Sequence, residues 1–227
     1  MRLAELNWME IEAYLKKDNR LILVLGSTEQ HGYLSVSADV KIPLSLADAA
    51  SQQTGVLVAP PLSFGNSPYF LTYPGTISLR VETLVNVVDD IVRSLYGQGF
   101  KRLLILNGHG GNIPAQNRLN EMANELKELK MAWYSWWRSP AIIEFSESQG
   151  LKGYHANWSE SFSFVRSTAV PQTEKQPLAT NRILNAVQTR EYYGDGVFGG
   201  PYQVDDSIMT EMFSIALKEI LRLIEII

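Results

Sequence analysis

Three histidines are all that this 227-residue chain contains, at positions 31, 109 and 155, and each stands among carboxylates, amides or glycines. His31 lies in Gly26-Ser27-Thr28-Glu29-Gln30-His31-Gly32. Glu29 and His31 are two residues apart, so an extended backbone turns both to one side. A carboxylate with an imidazole is a ligand pair for divalent zinc, iron or manganese. Asp39 follows a little further along. His109 lies in Asn107-Gly108-His109-Gly110-Gly111-Asn112, where glycines let a ligand approach the backbone closely. Amides opening the next helix suit an anion or an oxyanion. His155 lies in His155-Ala156-Asn157-Trp158-Ser159-Glu160-Ser161. There His155 reads as an acid/base group and Glu160 as a base or metal ligand. Each segment alone also suits a plain structural role: a solvated turn, a β–α turn capped by Asn112, or a helix entry capped by Asn157 or Ser159.

The elements that must position these groups are short apolar runs alternating with helical patterns. Strands are predicted at Leu21–Leu25, Gly55–Ala59, Arg102–Leu106 and Met131–Trp137. Helices are predicted over 9–18, 42–54, 81–96, 114–130 and 207–226, with another beginning within 159–166. Such alternation predicts an α/β fold with a mostly parallel sheet covered on both faces. In such a sheet, loops at the carboxyl ends of the strands converge on one crevice. Each histidine is read as following a strand, so the three are expected to share one cleft. The stretches Pro60–Gly75 and Gly194–Pro201 are long loops, expected to serve function or subunit contact. Trp133, Trp136 and Trp137 are read as core and interface aromatics, and Tyr192 and Tyr193 as surface or subunit contacts.

Composition narrows the chemistry. There is no cysteine, which excludes disulfides, thiolate zinc sites and a cysteine nucleophile. Ser27 and Ser161 lie outside any G-x-S-x-G motif and are poor nucleophiles. Any metal must therefore be held by histidines and carboxylates. The net charge of −4 is mild and unclustered, against nucleic acid or an anionic membrane as the main partner. The amino-terminal stretch lacks the apolar core of a signal peptide, so a cytoplasmic protein is expected. The length suits one α/β domain over residues 1–227.

Taken together and in order, these segments resemble the creatininase (creatinine amidohydrolase) family. The resemblance rests on Gly26-Ser27-Thr28-Glu29-Gln30-His31-Gly32, Pro74-Gly75-Thr76-Ile77-Ser78-Leu79-Arg80, Asn107-Gly108-His109-Gly110-Gly111-Asn112, His155-Ala156 with Glu160-Ser161, and Gly196-Val197-Phe198-Gly199. It implies a three-layer α/β/α sandwich, often hexameric. It also implies a divalent metal, zinc first with iron or manganese as alternatives, on Glu29, Asp39 and His109. A second metal would take His31, with Asp39 bridging and Glu160 nearby, while His155 handles substrate or protons. The implied activity is hydrolysis of a small cyclic amide or formamide by metal-activated water. Lactone or other non-amide hydrolysis, and a non-catalytic binding protein, are the alternatives. The chain departs from the family pattern at the loop Tyr33–Asp39, at Phe70, at Asn157-Trp158, at Gly200, and at Gly111, where creatininase itself has a glutamate. One firm metal and a weaker second are therefore expected.

Overall fold

The structure, a computed structural model, describes residues 1–227. Its core is a four-stranded parallel sheet in the order β2-β1-β3-β4. The strands are β1 (Arg20–Leu25), β2 (Leu57–Val58), β3 (Arg102–Asn107) and β4 (Lys130–Ser135). Period-two alternation sends β1 side chains to opposite faces. Ile22 and Val24 join the apolar cluster on one face, and Leu21, Leu23 and Leu25 the cluster on the other. The first face is covered by α2 (Ala38–Thr54), α5 (Pro140–Ser148) and α7 (Asp206–Ile226). The second is covered by α3 (Val81–Gln98) and α4 (Ile113–Glu125), with the short α1 (Trp8–Leu15) at its margin. These are the three layers of an α/β/α sandwich. No helix is long and apolar enough to cross a membrane.

The chain leaves β1 in one direction to reach β2 and then crosses to β3 on the other side. The order reverses between β1 and β3, and a doubly wound sheet opens its ligand crevice at such a point. The loops carrying His31 and His109 leave these two strands.

Four elements differ from the sequence expectation. Helix α2 begins at Ala38 rather than 42, placing Asp39 in its first turn. Pro43 therefore lies inside the helix. It has no N–H to offer the carbonyl of residue 39 one turn back. No α-helix forms in 159–166. Two 3-10 turns, Trp158–Glu160 and Ser163–Val165, stand there, separated by extended backbone at Phe162. Val165 is held by the loop before Asp39, its carbonyl accepting from the Ser35 amide at 2.8 Å. Helices α5 and α6 (Ala186–Tyr193) were not anticipated, although both carry start signals. Ser139 caps α5 ahead of Pro140, and Asn185 with Gln188 forms a capping box on α6. A small antiparallel ribbon pairs β5 (Glu174–Lys175) with β6 (Gly200–Pro201).

Candidate metal centre

His31 and His109 arrive on the β1 and β3 loops, whereas His155 does not follow a strand directly. Helix α5 and a loop separate it from β4. It still converges, with its ring centroid 4.6 Å from that of His31. Glu29, His31, Asp39 and His109 are all buried, at 1, 1, 4 and 3% exposure.

Asp39 is the centre of the arrangement. Its Oδ1 lies 3.0 Å from His31 Nε2, and its Oδ2 lies 2.9 Å from His109 Nδ1. Glu29 Oε1 is 3.4 Å from the same His109 nitrogen, and Glu160 Oε1 is 3.8 Å from His31 Nε2. Two groups of candidate ligand atoms thus share Asp39: Glu29–Asp39–His109, and His31–Asp39–Glu160. A third group, Glu29–His31–His155, overlaps them.

The proton positions on the imidazoles follow from their outer partners. His31 Nδ1 donates to the Glu29 backbone carbonyl at 3.2 Å. His109 Nε2 donates to the Asn66 carbonyl at 2.9 Å, with Ser67 Oγ at 3.2 Å. A carbonyl only accepts, so in the neutral rings the lone pairs of His31 Nε2 and His109 Nδ1 face carboxylate oxygens. Lone pairs turned on anions call for a positive charge between them, a proton on each imidazole in the metal-free protein or a bound metal ion. Glu29 Oε2, His31 Nε2 and Asp39 Oδ2 are all buried and make no well-aligned hydrogen bond. Without a metal the strain appears as pKa shifts. Burial alone would lower the His31 pKa, but Asp39 and Glu160 raise it well above the ordinary histidine value. Burial likewise opposes, and Glu29 and Asp39 overcome, the rise at His109. Burial would raise the Asp39 carboxyl, yet the two imidazoles hold it below the usual carboxylate range. The donor set, its burial and its unpaired atoms fit a divalent ion.

The groups that hold His109 and His155 in place come from the long loop 60–75. It supplies Asn66 and Ser67 to His109, and Phe70, which stacks on His155 with centroids 4.8 Å apart. A Cβ at Gly111 would come within 2.0 Å of the Asn66 carbonyl oxygen. The residue that lacks a side chain here is what lets that carbonyl reach His109. Gly108 is tighter still, since a Cβ there would stand 1.9 Å from the Asp39 carbonyl oxygen. The β3 loop therefore lies directly on the first turn of α2.

Glu160 sits in the 3-10 turn 158–160, and its Oε2 accepts from the Ala156 amide at 2.6 Å. Ala156 takes a left-handed φ of 61°, the only non-glycine to do so. Asn157 and Trp158, where the family pattern differs, are wholly buried structural residues. Asn157 grips the carbonyls of Lys152 and Gly199, and Trp158 fills the core. His155 is pushed down to about 4 by burial and by the positive charge of His31, so it is neutral at pH 7. A cavity of about 590 Å³ opens onto Glu29, Asp39, His109, His155 and Glu160. Sequence reasoning missed several of its walls. Tyr193, read as a surface residue, is buried, stacks on Phe198 at 3.8 Å and lines the cavity. Trp137 lines it too, whereas Trp136 is core.

Known proteins resemble this chain in sequence and in fold. It is 29% identical over 166 residues to the creatinine amidohydrolase of Pseudomonas putida, covering 66% of this chain and 64% of that one. It is 30% identical over 103 residues to the 3-dehydro-scyllo-inosose hydrolase of Thermotoga maritima, covering 44% of this chain and 33% of that one. The matched stretches thus span less than two thirds of these relatives' lengths. The crystal structure of creatinine amidohydrolase superposes with a TM-score of 0.84 at 22% identity, over 98% of this chain and 96% of that one. The Mn form of creatininase gives 0.83 at 23% identity, with the same coverage. The model of the family described as creatinine amidohydrolase matches residues 4–224, and the chain belongs to the creatininase family.

Proposed function

We propose that this protein is a metal-dependent amidohydrolase acting on a small cyclic amide or formamide. The observation that carries this reading is the pair of imidazole lone pairs directed at Asp39, with buried, unbonded atoms on Glu29, His31 and Asp39. Glu29, Asp39 and His109 would hold the firmer ion, and His31, Asp39 and Glu160 a weaker one. Zinc is the first expectation, with manganese and iron as alternatives. A bound divalent ion supplies an acidified water near neutral pH and polarises a scissile carbonyl.

The chain's own residues do the rest. Glu160, half-buried and facing the cavity, takes the proton released as water attacks. Its Oε2 is steadied by the Ala156 amide, leaving Oε1 for this task when the weaker ion position is empty. His155 is neutral and presents its Nδ1 edge towards Glu29, 3.8 Å away, where its N–H donates a hydrogen bond to the substrate, and the proton taken up by Glu160 passes to the leaving nitrogen as the C–N bond breaks. Phe70 and Phe198 flank the His155 ring and keep bulk water from it.

Stripping the protein with a chelator should abolish hydrolysis of creatinine, hydantoin or formamide probes, and zinc or manganese should restore it. Glu160→Gln should reduce turnover with the Glu29–Asp39–His109 ion retained. A protein that neither retains nor rebinds metal would support the binding-protein alternative. The proposal includes a closed homo-oligomer, a hexamer, supported by exposed Trp8, Ile183 and Val187. Sedimentation at micromolar concentration tests it.

A further inference from the structure

The cavity is polarised in a way the hydrolytic groups do not use. Its acidic lining consists of Glu29, Asp39 and Glu160, all in the candidate ligand cluster. Its basic lining consists of Arg138 and Arg182. Arg138 ends the 3-10 turn after β4, and Arg182 lies between β5 and α6 beside Ile183. Six other arginines, Arg2, Arg20, Arg93, Arg102, Arg118 and Arg166, are paired with carboxylates. Arg138 and Arg182 have no such partner, a lack shared by Arg80, Arg190 and Arg222, but of these five only Arg138 and Arg182 line the cavity, in a chain that is acidic overall at −4.

The charges can be added. Three carboxylates and two guanidinium groups give the cavity −3 + 2 = −1. One divalent ion makes it +1, and two make it +3. With two ions every carboxylate in the lining would be committed to metal, and with one only Glu160 would be left to oppose two guanidinium groups. A loaded cavity of this sign in an acidic protein concentrates anions. Guanidinium groups bind carboxylate or phosphate oxygens through directed, charge-assisted hydrogen bonds. The volume of about 590 Å³ is in the range that encloses a ligand well beyond one small ring.

We propose that Arg138 and Arg182 form an anion-recognition pair at the mouth of the cavity, so that the substrate carries a carboxylate or phosphate group remote from the bond that is cleaved. This rests on the hydrolase reading and narrows its substrate class: a neutral ring such as creatinine leaves both arginines unused.

The test is binding rather than turnover. Manganese-loaded protein is titrated calorimetrically with dicarboxylates from succinate to pimelate, each against the monocarboxylate of equal chain length. The ω-phosphono analogues are included to separate carboxylate from phosphate recognition. At least one diacid should bind about tenfold more tightly than its monoacid. Arg138→Gln and Arg182→Gln, both at exposed positions, should each erase most of that preference, while Arg80→Gln, outside the cavity, should not. Tighter binding of the phosphono analogue assigns a phosphate, and tighter binding of the diacid a carboxylate. Equal binding of diacids and monoacids, no binding of either, or a preference that survives both substitutions overturns the proposal. Metal content is measured on the same samples. A wild-type protein without metal overturns the hydrolase reading, whereas a metal-loaded protein without diacid preference overturns the anion pair alone.

Discussion

The side-chain amide nitrogen of Gln30 lies 2.9 Å from Nε2 of His155. Gln30 is not free to turn, because its Oε1 accepts from the Gly32 amide at 3.0 Å and its Nε2 donates to the Gly196 carbonyl at 3.1 Å. The Gln30 backbone carbonyl also approaches His155 Nε2, at 3.1 Å. Two partners of opposite polarity therefore compete for one ring nitrogen. The shorter contact comes from the pinned amide, which needs an acceptor. His155 is thus expected as the neutral tautomer with its proton on Nδ1, facing the cavity. Nitrogen-15 NMR of histidine-labelled protein can read this, since there are only three histidines to assign. Gln30→Leu should convert His155 to the other tautomer and lower turnover by about tenfold to a hundredfold with metal retained. An Nε2 proton in the wild type would refute the assignment and make Nδ1 available as a metal ligand.

Asp39 touches both histidines with separate oxygens, so Asp39→Asn should empty both candidate metal positions. Glu29→Gln and His109→Ala should strip the firmer ion. Glu160→Gln should weaken only the second, because Glu160 belongs to the group containing His31. His155→Ala should leave metal content unchanged. Elemental analysis after dialysis separates these outcomes, and two ions retained equally in the wild type would contradict the expected asymmetry.

The metal-free protein should depend on pH in a definite direction. The His31 and His109 pKa values are raised above 6.5 in the fold. Their stabilisation is complete below about 6.5 and is lost as pH rises through the raised values. Asp39 is depressed, so its contribution is present above 3.8 and lost as pH falls through its lowered value. The melting temperature without metal should therefore fall from neutral to alkaline pH, and the stabilisation conferred by zinc should grow over that range. Metal uptake at pH 7 should release about one proton per displaced imidazolium, measured by calorimetry in buffers of different ionisation enthalpy.

Gly108→Ala and Gly110→Ala lie in the same loop and should behave oppositely. The first would drive a methyl group into the Asp39 carbonyl, whereas a Cβ at Gly110 meets nothing within 4 Å. Gly108→Ala should destabilise the protein by at least about 2 kcal/mol, or misplace Asp39 and remove metal from whatever folds. Gly110→Ala should change stability by less than about 0.5 kcal/mol. Denaturant melts of both variants provide the comparison.

Much of this site is legible in the sequence because its ligands are local to strand ends. Glu29 and His31 follow β1, and His109 follows β3, so strand prediction alone brings them together. Asp39 is harder to place. Its carboxylate reaches the site because α2 starts at Ala38, about one turn ahead of the helix expected from residue 42. His155 and Glu160 come through irregular backbone with a left-handed alanine, for which no periodicity exists. The cavity walls were hidden for another reason. Tyr193 and Trp137 look like surface or core aromatics in the sequence, and only the placement of the end of α6 and of the turn after β4 beside the crevice makes them its walls.

The packing of Gly108 on the first turn of α2 also bears on how an ion enters and leaves. Glu29, His31, Asp39 and His109 are buried, with Glu29, Asp39 and His109 facing the cavity, whereas His155 and Glu160 keep partial exposure. An ion held there would exchange through the same opening that would admit a substrate. A molecule seated in the cavity would act as a stopper, and metal loss to a chelator would slow in proportion to occupancy. The protein would hold its metal most persistently while it is working and release it mainly when idle.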